Sequence, residues 1–251
     1  MIKLTTLGFG GWVSNTFFGQ PSYILENENT RIMLDAGEGT YFQLRKCTSL
    51  DIGDISYIVL THSHGDHILG IPTILQYAGY LSIKVRVVAP YYVHESIKRI
   101  LETLQIPHYE KYMERITINE GKELQLANNI SLKAYPAHHT VNAVSYRLSM
   151  GEAIIGYSGD TKPNPQFLKD IEGALLLIHE VSAPPEYSKE AEAYGHTSSK
   201  DIAAILRLAK PKYFMPTHYF IEEPYLPLES YGGVRLLTPA PCSTHKLNLI
   251  Y

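Results

Sequence analysis

An α/β layered fold is predicted by three features of the sequence. Short runs rich in β-branched residues alternate with helical stretches from end to end, the apolar content suits a packed core, and no linker rich in Pro, Gly or Ser interrupts the order. At 251 residues the chain has room for one large domain or two small ones, and the unbroken alternation favours a single domain spanning 1–251.

In chain order, segments 2–7, 23–26, 31–35, 56–61 and 84–88 read as strands, and 40–48, 68–79 and 91–104 as helices. The second half continues with strands at 115–118, 130–135, 143–149, 153–158, 174–179, 212–217 and 233–237 and helices near 164–171 and 198–209. Thr197 or Ser198 can cap the last helix, with Asp201 in its first turn where a negative charge suits the helix dipole. The stretch 8–19 interleaves glycines with Phe9, Trp12, Phe17 and Phe18. It reads either as a turn whose rings tuck into the core or as a flap that offers Trp12 and Phe17 to a substrate.

Charge and cysteine usage exclude several classes. Lys plus Arg number 22 and Asp plus Glu 25, a net charge of -3 with no block of like sign, so the basic stripe of a protein that grips nucleic acid broadly is absent. No apolar run is long enough to cross a bilayer, which excludes an integral membrane protein. Cys47 and Cys242 lie far apart, and with no secretory signal at the start they predict no disulfide framework and a reducing cytoplasm. The apolar edge 71–77 could pack on a second copy in a homodimer or be an ordinary core helix.

The densest chemistry is the heptad Thr61-His62-Ser63-His64-Gly65-Asp66-His67, which follows an apolar strand directly. Three imidazoles and a carboxylate within six residues are too many coordinating groups for packing alone, and the heptad should form the loop at the strand's carboxyl end, where a rigid scaffold presents ligands. His62 and His64 are two apart and can share one ion, whereas Asp66 and His67 fall on a different side, so the spacing suits two adjacent metals. Further donors recur at strand ends: His138 and His139, Asp160 and His218. Four such ends converging on one edge of a sheet could assemble a cage with His62, His64 and one of His138 or His139 on one ion, Asp66, His67 and His218 on the other, and Asp160 between them.

This set resembles the metallo-β-lactamase fold superfamily of hydrolases and, within it, the ribonuclease Z group of phosphodiesterases that trim the 3′ end of precursor tRNA. The resemblance rests on the heptad and on Asp35-Ala36-Gly37-Glu38-Gly39-Thr40 ahead of it, and covers nearly the whole chain. It continues through His139 before Ser145-Tyr146-Arg147, Ser158-Gly159-Asp160-Thr161, His179-Glu180, Gly195-His196-Thr197-Ser198 and Pro216-Thr217-His218. It implies a four-layer αββα sandwich of two mixed sheets flanked by helices. It also implies a dinuclear metallo-hydrolase with two divalent ions, zinc foremost and manganese or iron as alternatives, held by His62, His64, Asp66, His67, His139, Asp160 and His218. Asp66 would also be catalytic, Glu180 and His196 would direct a proton to the leaving oxygen, and Asp35 would hold the ligand loop. Thr197 and Ser198 could also donate to the phosphate.

Only 20 residues separate His139 from Asp160, where the tRNA-processing members carry a long arm. The expected activity is therefore a ribonuclease Z-like phosphodiesterase of small or short substrates. The alternatives are a tRNA 3′-processing endoribonuclease that binds RNA without the arm, and a lactonase, sulfatase or thioesterase of the same superfamily.

Overall fold

The structure, a computed structural model, describes residues 1–13, 17–220 and 232–249. In chain order it forms β1 (Ile2–Gly8), β2 (Ser22–Glu26), β3 (Arg31–Leu34), α1 (Thr40–Cys47), β4 (Tyr57–Val59), α2 (Gly65–Ile68), α3 (Ile71–Leu81) and β5 (Val85–Ala89). There follow α4 (Tyr91–Thr103), β6 (Met113–Thr117), β7 (Glu123–Ala127), β8 (Ile130–Pro136), β9 (Val144–Met150), β10 (Ala153–Tyr157) and α5 (Pro165–Asp170). The chain closes with β11 (Leu176–Glu180), α6 (Ser188–Ala193), α7 (Ile202–Ala209), β12 (Tyr213–Thr217), β13 (Arg235–Leu236) and β14 (Thr244–Leu247).

These elements fall into two compact units, one of residues 1–119 and 240–247, the other of residues 120–239 and 248–251. The first unit is built on a seven-stranded sheet in the order β14-β1-β2-β3-β4-β5-β6, antiparallel from β14 to β3 and parallel from β3 to β6. Its parallel strands bury both faces, and Ile58, Val87 and Ala89 join Ile71, Ile74 and Leu75 of α3 and Val93 and Ile97 of α4 in one apolar core. The apolar residues of segment 71–77 are spent on that core: Ile71, Pro72, Ile74 and Leu75 are buried, and Tyr77 is only partly covered. The same sheet construction recurs in the second unit in the order β13-β12-β11-β10-β9-β8-β7, parallel from β10 to β13 and antiparallel from β7 to β10. Two mixed sheets with flanking helices are the fold class expected from the sequence.

Three expectations change. The C-terminal segment returns to pair with β1, which brings Cys242 to the end of α1, and Cys47 and Cys242 form a disulfide with Cα atoms 4.6 Å apart despite 195 residues of separation. The strand ends that carry ligands belong to two sheets, not one edge: the heptad follows β4, whereas His139, Asp160 and His218 follow β8, β10 and β12. The heptad is not wholly loop either, since Asp66 and His67 lie on the single-turn helix α2. Of the aromatic stretch 8–19, residues 14–16 lie outside the described residues. Phe9 is buried with Phe18 against it at 4.9 Å, while Trp12 and Phe17 are exposed.

Candidate metal centre and proton relay

In the first unit, β3 and β4 run parallel, so their carboxyl ends open side by side and place Asp35 next to Thr61. Asp35 is fully buried and accepts from the Thr61 amide at 2.8 Å, from the Thr61 hydroxyl at 2.9 Å and from His67 Nδ1 at 2.7 Å. Thr61 has a single hydroxyl proton, and that proton is committed to Asp35. Its oxygen therefore accepts from His62 Nδ1, 3.0 Å away. Both imidazoles are thereby held with the proton on Nδ1, which turns Nε2 of each into the nitrogen able to bind a metal ion.

Packing carries the same geometry. The His62 ring centroid lies 4.1 Å from that of His67 and 4.8 Å from that of His64, and His67 Nε2 is 3.5 Å from an Asp66 carboxylate oxygen. Two donors bound to one tetrahedral zinc are about 3.4 Å apart, so that spacing fits a shared ion. The backbone beneath is pinned as Ala36 donates its amide to the His67 carbonyl at 2.8 Å. Gly37 is required here because a Cβ would stand 2.1 Å from the Asp66 carbonyl oxygen.

In the second unit, β8, β10, β11 and β12 all point the same way, so His139, Asp160, Glu180 and His218 leave one edge of the sheet. Asp160 lies 3.1 Å from His218 Nε2 and 3.9 Å from His139 Nε2. His139 donates Nδ1–H to the Gly195 carbonyl at 3.1 Å, again leaving Nε2 for coordination. The adjacent His138 is exposed, its amide donating to the Thr161 hydroxyl oxygen at 2.9 Å and its carbonyl accepting from the Lys162 amide at 3.1 Å. Neutral imidazoles and carboxylates with their outer nitrogens held by acceptors are a donor set that fits divalent zinc, manganese or iron.

Glu180 is the second buried carboxylate. It accepts from the amides of Thr161 at 2.6 Å and Thr197 at 3.1 Å, from the Ser182 hydroxyl at 2.5 Å and from His196 Nδ1 at 3.0 Å. Burial opposes the charged form of Glu180, but the charge and hydrogen bond of His196 outweigh it and hold the carboxyl below its usual range. Burial likewise opposes a charged His196, yet the facing Glu180 prevails and raises the imidazole above its usual value. His139 moves the other way, lowered chiefly by burial although Asp160 opposes that shift. The His196 ring stacks on His218 at 5.2 Å and meets His139 edge-on at 4.8 Å.

Thr197 and Ser198 are otherwise employed. The Thr197 hydroxyl donates to the Thr161 carbonyl at 2.7 Å, and Ser198 donates to Asp201 at 2.9 Å as the reciprocal cap of the turn leading into α7. Neither hydroxyl is offered to a phosphate. Besides Thr61, two residues that carry the geometry were not assigned roles from the sequence. Ser182 sits two residues beyond Glu180, and on an extended chain that spacing puts both on one side, the signal that could have found it. Gly195, at φ 74°, could be recognised only in three dimensions: a Cβ there would stand 2.7 Å from His139 Cα.

Residues 30–219 match the family described as the Beta-lactamase superfamily domain, and the chain belongs to that superfamily. With its donor set, that membership makes it a metal-dependent hydrolase similar to ribonuclease Z. Ribonuclease Z of Ignicoccus hospitalis is 27% identical over 248 residues, covering 79% of this chain and 81% of that protein. Two solved structures share the fold. Human tRNase Z, short form, has a TM-score of 0.80 at 22% identity over 98% of this chain and 100% of that one. The metallo-beta-lactamase fold protein YhfI from Bacillus subtilis has a TM-score of 0.78 at 17% identity, again over 98% and 100%.

Proposed function

We propose that the chain is a phosphodiesterase of small or short phosphodiester substrates. Its ions are held by His62, His64, Asp66, His67, His139, Asp160 and His218, and the domain comprises residues 1–251. Two divalent cations, zinc foremost, would supply Lewis acidity there, lowering the pKa of water and offsetting negative charge on the substrate. The observation that carries the reading is the Glu180–His196 pair. Glu180, fixed by two backbone amides, holds His196 Nδ1–H at 3.0 Å and favours the imidazolium. A leaving alkoxide needs a proton as its bond to phosphorus breaks, and His196 gives the one on Nε2 while Nδ1–H stays on Glu180. A thioesterase, whose leaving thiolate is stable near neutral pH, does not need that relay.

Ribonuclease Z relatives favour a second reading, tRNA 3′ processing. Against it, the whole interval from His139 to Asp160 is spent on β9, β10 and short connections, leaving no room for the arm expected of tRNA-processing members. The deciding experiment assays metal-loaded protein in parallel on a bis-aryl phosphate, cyclic nucleotides and precursor tRNA. Hydrolysis of the first two without the third supports the proposal, and cleavage of precursor tRNA at comparable kcat/KM replaces it by the second reading.

The proposal keeps a cytoplasmic location, where an accessible pair such as Cys47–Cys242 exchanges with the thiol pool. Among the described residues no helix is long and apolar enough to cross a membrane. For a homodimer, the exposed rings of Phe42 on α1 and Tyr80 on α3 are one candidate contact, and light scattering decides it.

A further inference from the structure

Three groups converge on one hydroxyl oxygen. Ser182 Oγ lies 2.5 Å from Glu180 Oε2, 2.9 Å from His218 Nδ1 and 3.3 Å from His196 Nδ1. A serine hydroxyl has one proton and two lone pairs. An ionised Glu180 can only accept, so the serine proton goes to it, and the lone pairs face the two imidazoles. The shorter of those contacts is then an N–H donated by His218 to Ser182. The one hydroxyl oxygen gives to the carboxylate and receives from the imidazole at once.

We propose that Ser182 is a positioning residue that ties the proton donor to a metal-binding imidazole. It fixes His218 with the proton on Nδ1, so that Nε2 is the coordinating atom, and in the same act it orients the carboxylate that holds His196. The inference rests on the proposed function for the roles of His196 and His218. The backbone around Ser182 is secured independently of its side chain: its amide donates to the Thr197 carbonyl at 2.9 Å, and the neighbouring Ala183 bridges to Ser198. Removing the hydroxyl therefore removes the link and leaves the strand end in place. Alanine strands the His218 N–H and takes one donor from Glu180, whereas threonine keeps the hydroxyl.

The test compares wild type, Ser182→Ala and Ser182→Thr, with folding checked by circular dichroism. The first readout is zinc affinity by chelator competition, which needs no substrate. Loss of one outer-shell partner lowers metal affinity about 10–100-fold, and that loss is expected for one of the two ions in Ser182→Ala and not in Ser182→Thr. The second readout is kcat against KM on an alkyl and an activated aryl phosphodiester. In Ser182→Ala, kcat should fall further on the alkyl ester than on the aryl ester with little change in KM, and threonine should restore it. Wild-type zinc affinity and an unchanged alkyl-to-aryl ratio in Ser182→Ala overturn the inference. So does a Ser182→Thr variant that folds yet behaves like alanine, because packing would then be the cause. Wild-type protein that binds zinc but hydrolyses neither ester overturns the phosphodiesterase reading instead, while the affinity arm still reports on the Ser182–His218 link.

Discussion

The two units build the same circuit from different residues. In the first, Asp35 takes a backbone amide, the Thr61 hydroxyl and His67, and Thr61 in turn receives His62. The corresponding parts in the second are Glu180, backbone amides, Ser182 and His196, with Ser182 receiving His218. The difference is exposure. His62 and His67 are sealed, whereas the His196 side chain keeps 18% of its surface and can meet a substrate. A buried carboxylate with a hydroxyl relay thus serves as a ligand holder where both imidazoles are enclosed. Where one imidazole is left open and facing the charge, the proposed function makes it a proton source.

The strongest way to break this contrast is His196→Ala. Metal content should stay at the wild-type level while turnover of an ester with a poor leaving group falls about 10²–10⁴-fold, the usual worth of general acid catalysis. An activated aryl ester, whose leaving group needs no proton, should lose far less. Equal losses on both esters would make His196 another holder and erase the distinction between the units.

Next in size is the covalent tie that only the first unit carries. Cys47→Ser should lower the stability of that unit by about 2–4 kcal/mol, because a loop of this length strongly restricts the unfolded chain. Hydrogen exchange should report it as lost protection in β1 and β14, with the strands of the second unit unaffected. Adding reductant to the wild-type protein should reproduce the effect, and a variant indistinguishable from oxidised wild type would show that the tie contributes nothing in solution.

Smaller again is the exchange of one hub's charge. Asp35→Asn keeps the shape but removes the charge that fixes the His67 proton on Nδ1, so zinc affinity should drop about 10–100-fold. Activity should fall alike on good and poor leaving groups and recover at saturating zinc. A loss that depended on the leaving group would put a proton relay in the first unit as well.

How much of this was readable beforehand follows from the range of the signals. The heptad and the runs ending at His139, Asp160 and His218 were legible because ligand density and strand pattern are local properties. The strands β7 and β14 were not, being short and interrupted by polar residues such as Gln125 and Lys246, without a clean apolar period. Pairing of Cys47 with Cys242 depends on the chain's return to β1, which no spacing encodes. Thr61 and Ser182 stayed hidden for another reason: hydroxyls are common, and their role lies in which way a single proton points. The choice of His139 over His138 came only through the family resemblance, and the exposure of His138 supplies its physical reason.

The smallest expected effect tests an ion-paired carboxylate at the periphery of the first unit. Glu26 on β2 pairs with Lys3 at 2.6 Å and Arg31 at 2.8 Å, bridging strands on either side. Partial burial works against its charge, but the two cations outweigh this and depress its pKa below the usual glutamate value. A carboxyl whose folded pKa is depressed contributes stability at pH values above its unfolded pKa, and that contribution disappears as pH falls through the folded pKa. Glu26→Gln should therefore lower the thermal midpoint slightly at pH 7, with the gap to wild type closing below about pH 4. Salt should narrow the same gap at pH 7, because Lys3 and Arg31 are each about 40% exposed and their attraction is screened. A gap that stays constant from pH 7 to pH 3 would assign the loss to packing.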